Sequence, residues 1–130
     1  MSETDVVAAA LAELEASFAR LREAIEGADN QEVVWLRFKM TREALWKAIR
    51  EFLIFYRGYR CRKPRSCIKQ GMMRDLLVEG EVLLDILADE VVARVGERYV
   101  GAIEANIQRL RECLAGWGGR CWHGMEEVRG

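Results

Sequence analysis

Between Asn30 and Tyr56 the side chains of Val34, Phe38, Thr41, Leu45, Ile49, Phe52 and Tyr56 recur at steps of three and four. A chain turning once per about 3.6 residues sets all of these on one face, whereas a strand, with its period of two, would scatter them over both. That face must be buried, so the segment dictates a long amphipathic helix. Its start is marked chemically. Asp29 precedes Glu32 by the spacing of a capping box, and Asn30 is an equally suitable cap. On the outer side, Glu43 and Lys47 stand at i and i+4, the spacing of a surface ion pair worth a few tenths of a kcal/mol.

The same period runs through most of the chain. Val7, Leu11, Leu14, Phe18, Leu21 and Ile25 predict a first helix over residues 4–26, ending near Gly27. After the long helix, the segment from Arg57 to Lys63 contains Gly58 and leads to Pro64, which suits the first turn of a third helix because its missing N–H is not needed there. Ile68, Met72 and Leu76 give that helix its stripe, and Gly80 is expected to break it. Leu84, Leu87, Val91 and Val95 mark a fourth, punctuated by Gly96, and Val100, Ile103, Ile107, Leu110 and Leu114 mark the last. No segment alternates with a period of two between turn residues, so no sheet is expected. The expectation is an all-α, up-and-down antiparallel four-helix bundle over residues 1–115, with short third and fourth helices, followed by a glycine-rich tail over 116–130 that mobility or docking through Trp117 and Trp122 would suit.

A chain of 130 residues is one domain by size, and a single proline suits long helices. The formal charge of −1 gives no global attraction to nucleic acid or to an acidic membrane. No stretch reaches the roughly eighteen apolar residues of a membrane span, and the first residues are acidic where a secretory leader is basic. A cytoplasmic protein is expected, with no membrane partner. In that compartment Cys61, Cys67, Cys113 and Cys121 are expected to be reduced thiols. With His123 they fit no zinc-knuckle spacing, so neither a metal nor another cofactor is expected. Met72 and Met73 read as core filling, and Trp35 and Trp46 as helix or interface packing.

The order Phe38-x-x-Thr41-x-Glu43-x-x-Trp46-Lys47, followed after a short loop by Pro64-Arg65, resembles the nucleotidyltransferase substrate-binding protein family, part of the HEPN group of helical domains. The resemblance spans Val34 to Leu110 and implies a helical subunit that binds a separate minimal nucleotidyltransferase, helping to hold its substrate or acting in a toxin–antitoxin pair. It also implies a homodimer. Many HEPN domains are ribonucleases that use an arginine to stabilise phosphorane charge and a histidine to move the proton of the 2′-hydroxyl. Setting Leu83 to Leu87 on the corresponding family segment puts Glu90 at the arginine position, Val95 at the histidine position and Glu97 at the family's tyrosine. A four-residue shift offers Arg94 and Tyr99, and phenol is a poor substitute for imidazole. His123, in the tail, is the one histidine. The glycine-serine turn and paired aspartates of the transferase itself are missing, so no catalytic residue is assigned and a non-catalytic role is favoured over a ribonuclease.

Charge is arranged in blocks. Seven basic residues and no acidic one lie between Arg57 and Arg74, and six acidic residues and no basic one between Asp75 and Glu90. Tyr56, Arg57, Tyr59, Arg60, Arg62, Lys63, Arg65 and Lys69 form the candidate binding patch, in which guanidinium groups hold nucleotide or nucleic-acid phosphate and a tyrosine stacks on a base. The same cations would serve a stand-alone interaction module that meets an acidic protein. The blocks could also neutralise each other within the fold or across a dimer, which as surface pairs would contribute little.

Overall fold

The computed structural model describes residues 3–28, 30–88 and 96–115, and all regular structure among them is helical. The helices are α1 (Glu3–Glu26), α2 (Gln31–Arg57), α3 (Pro64–Met73), α4 (Gly80–Ala88) and α5 (Glu97–Leu114). The tail over 116–130 and the segment 89–95 lie outside the described residues, and with them Glu90, Arg94, Val95, Trp117, Cys121, Trp122 and His123.

Helix α2 buries most of the face its spacing predicts: Phe38, Thr41, Leu45, Ile49, Phe52 and Tyr56, widened by Ala44, Ala48 and Leu53, with Val34 half-buried at its start. Asn30 starts the helix by accepting from the Val33 N–H at 3.0 Å, and Gly58 ends it in the left-handed region at φ 63°. The buried stripe of α1 (Val7, Leu11, Leu14, Phe18, Leu21) packs against this face. The two helices run in opposite directions, because Ser17 meets Thr41 and Glu13 meets Lys47. Thr41 is wholly buried at no polar cost: its hydroxyl proton is shared by the Arg37 carbonyl at 2.8 Å and the Ser17 carbonyl at 3.1 Å. Lys47 thus pairs with Glu13 at 3.4 Å, in place of the expected Glu43 partner.

The second half of the chain departs from its apolar pattern. Helix α3 stops at Met73, well before Gly80, and the reversal is made by Asp75 (φ 61°) and Glu79 (φ 57°). Gly80 is the first residue of α4. Met72 and Met73 are therefore 41% and 70% exposed, in contrast to their expected core role. In α4 the buried residues are Val82, Leu83 and Ile86, with Leu84 and Leu87 half-buried, a phase offset from the expected stripe. Helix α5 buries Ile103, Ile107 and Leu110 as predicted, together with Ala102, Asn106, Arg109 and Cys113.

Those polar residues hold the α3–α4 turn. Arg109 donates to the Asp75 carbonyl through Nε at 2.7 Å and through Nη2. Asn106 accepts from the Val78 N–H at 3.0 Å and donates to the Val78 carbonyl at 2.9 Å. Arg57 reaches the Arg74 carbonyl from α2 at 3.1 Å. A turn without repeating structure has no ladder to pair its backbone groups, and these side chains supply partners.

Candidate cationic surface

Helix α2 ends with the Gly58 and Tyr59 amides donating back to the Ile54 and Leu53 carbonyls, at 3.0 and 3.2 Å. The chain then runs irregularly to Lys63, whose extended backbone (φ −116°, ψ 143°) is what a following proline requires, and Pro64 opens α3. Arg60, Arg62, Lys63, Arg65 and Lys69 are exposed on this loop and helix start, and Tyr59 is half-buried beside them. The first turn of α3 carries no acidic residue and no side-chain cap. The positive end of the helix dipole and the cations therefore reinforce one another. Among the described residues no ion pair joins any of these five cations to a carboxylate. Asp85, from the acidic block, pairs with Arg98 at 3.3 Å.

Two residues expected in the patch are placed elsewhere. Tyr56 is 2% exposed, and its hydroxyl donates to the Cys113 carbonyl at 2.7 Å, so its ring cannot stack on a ligand. Burial pushes its phenol above the ordinary value, with Arg57 opposing. Arg57 is half-buried and donates to the carbonyls of Tyr56 and Arg74. Its buried Nε–H has no acceptor among the described residues. Burial, then the nearby Arg74 and Arg109 guanidinium groups, hold it below the usual arginine value. The surface is thus Tyr59, Arg60, Arg62, Lys63, Arg65 and Lys69.

The cysteines also correct the reading from sequence. Cys61 and Cys67 form a disulfide, with Cα atoms 5.4 Å apart, where the loop returns onto the first turn of α3. Cys113 is disulfide-bonded as well. Neither Cys61 nor Cys67 is a thiol available to a metal, and no group of three or more potential ligands occurs among the described residues.

The Phe38 to Lys47 run is scaffold. Phe38 is fully buried and stacks between Trp35 and Tyr99, at centroid distances of 5.6 and 5.9 Å. Trp46 is half-buried under Arg50, and Glu43 faces solvent. Arg109 and Asn106 escaped the sequence reading because polar residues in a helix read as its wet face. The signal was there: Ala102, Asn106, Arg109 and Cys113 step by four, three and four, in register with burial. A separate groove of about 610 Å³ runs between α1 and α5 over Phe18, Ala19, Gly101 and Ala105. It is bridged by the Arg22–Glu104 and Arg111–Glu15 pairs.

No family model, curated protein or solved structure matches the chain. No helix among the described residues is long and apolar enough to cross a membrane.

Proposed function

We propose that the chain is a non-catalytic helical binding subunit whose loop and helix start, from Tyr59 to Lys69, engage phosphate or carboxylate groups of a partner. The observation that carries this reading is the set of five exposed cations that no carboxylate among the described residues neutralises. Positive charge left unpaired on this loop and helix start favours an anionic partner and speeds its approach.

The partner suggested by the order Phe38, Thr41, Glu43, Trp46 and Lys47 is a minimal nucleotidyltransferase, with the subunit helping to hold its substrate or serving in a toxin–antitoxin pair in the cytoplasm. On this reading α1, α2 and α5 are three sides of an antiparallel four-helix bundle, and α3 and α4 together complete the fourth. Co-expression with a small transferase from the neighbouring reading frame tests it. Co-purification that is lost in Arg60→Glu/Arg62→Glu, with helicity intact, is the expected result, and no co-purification of the unaltered chain defeats it. If the double variant binds like the parent, the cationic surface is not the contact.

A stand-alone module using the same surface is the alternative. It predicts binding to inorganic tripolyphosphate with no transferase required. Self-association has its own support in Leu36, Met40 and Ile54, which are 51%, 41% and 36% exposed on α2. Trp35 and Phe55 lie half-buried against the core. Light scattering at high concentration separates monomer from dimer.

A further inference from the structure

The cationic loop is held by little besides one covalent link. The Gly58 and Tyr59 amides bond back to α2, and the Cys67 amide bonds to the Lys63 carbonyl. Between these points, among the described residues, the amides of residues 60 to 63 donate to no backbone carbonyl. Among the described residues no ion pair anchors Arg60, Arg62 or Lys63. The Cys61–Cys67 disulfide therefore fixes the path of the loop against α3. Its two ends differ in access. Cys67 is fully buried in the core, whereas Cys61 is half-buried between the exposed Arg60 and Arg62.

We propose that Cys61–Cys67 is a reversible thiol–disulfide exchange site, addressed preferentially by anionic small-molecule thiols, that switches the cationic loop between a tethered and a free state. The consequence for binding rests on the role proposed above for this surface; the exchange chemistry does not. An external thiolate attacks the sulfur of Cys61, the less buried of the two cysteines. The Cys61–Cys67 bond breaks, a mixed disulfide forms on Cys61, and Cys67 leaves as a thiolate that takes up a proton. A second external thiolate then attacks the mixed disulfide and releases Cys61. The protein gains two electrons and two protons, and two external thiols become one external disulfide; the same steps in reverse close the tether. The neighbouring cations draw a negatively charged thiol to Cys61 and favour the thiolate form of Cys61 once freed, which readies it for re-oxidation.

The test uses the full chain with mercaptoethanesulfonate, mercaptoethanol and cysteamine as anionic, neutral and cationic probes, with rates referred to thiolate concentration. At low salt the anionic thiol should open Cys61–Cys67 about tenfold faster than the cationic one, and the difference should collapse at high salt. Trypsin should cut after Arg60 and Arg62 about tenfold faster in Cys61→Ser than in the oxidised parent chain, with cutting elsewhere unchanged. Cys67→Ala repeats the comparison should Cys61→Ser lose helicity. Tripolyphosphate should bind the oxidised chain about threefold or more tighter, because the tethered loop is pre-organised. A disulfide inert to all three thiols in the folded protein, an absence of charge order, or equal trypsin cleavage would overturn the proposal. Failure of both forms to bind tripolyphosphate, with the rate and protease results intact, would instead sink the anion-binding reading and leave the exchange site standing.

Discussion

Arg109 shows how one residue can be structural in a way its type conceals. With its side chain 7% exposed, it has exchanged water for the Asp75 carbonyl. Arg109→Met should cost about 1.5–3 kcal/mol in urea unfolding, because a charge-assisted hydrogen bond from a buried side chain is lost. Arg111→Met, which removes a solvent-exposed partner of Glu15, should cost less than about 1 kcal/mol. Tyr56 offers a pH test with a definite sign. Its folded phenol titrates above the ordinary 10.0, so just above that pH the unfolded chain holds fewer protons than the folded one and stability falls as pH rises. Tyr56→Phe should lower stability at neutral pH by about 1 kcal/mol through loss of the hydrogen bond to Cys113. The variant should also lose less of its melting temperature than the parent on going to strongly alkaline pH.

At the scale of the element, glycines that look alike in the sequence have opposite roles. A Cβ on Gly71 would sit 2.4 Å from Leu77 Cδ1, where α3 meets the buried start of the next segment. Gly71→Ala should therefore destabilise by about 1–3 kcal/mol through overpacking. Gly101, in the exposed middle of α5, would meet nothing within 4 Å, so Gly101→Ala should stabilise by about 0.5–1 kcal/mol through helix propensity; thermal melts of the pair read both signs. The long helices were legible because apolar residues alone set their phase: the α2 stripe, Asn30, Gly58 and Pro64 all lie where the spacing and cap chemistry put them. The α3–α4 reversal was not. Local rules assign turns to glycine, whereas here Asp75 and Glu79 take the left-handed conformation, held by donors remote in sequence. The candidate surface was legible as a run of charge, but the removal of Tyr56 and Arg57 from it depends on α5 and on the α3–α4 turn, which no local window contains. The disulfide depends on how the loop returns to α3, which spacing alone leaves open.

Across the whole molecule the contacts separate into two kinds. The α1–α2 pair is joined by a connection of four residues and packs along apolar stripes. The α3–α4 turn instead takes its partners from Arg57, Asn106 and Arg109, which lie 17, 28 and 34 positions away. The α1–α2 seam can zip outward from its short connection, each contact closing only a small further loop, whereas the turn can be gripped only once α2 and α5 have docked beside it. The hairpin of α1 and α2 should therefore form early in refolding and the turn should lock last. In stopped-flow experiments Arg109→Met should leave the folding rate close to that of the parent and put nearly all its effect into faster unfolding, whereas Leu45→Ala, in the α1–α2 seam, should slow folding. The guanidinium grip on Asp75 would then act as a latch on the lifetime of the native state, setting how long the fold persists and not how quickly it is found.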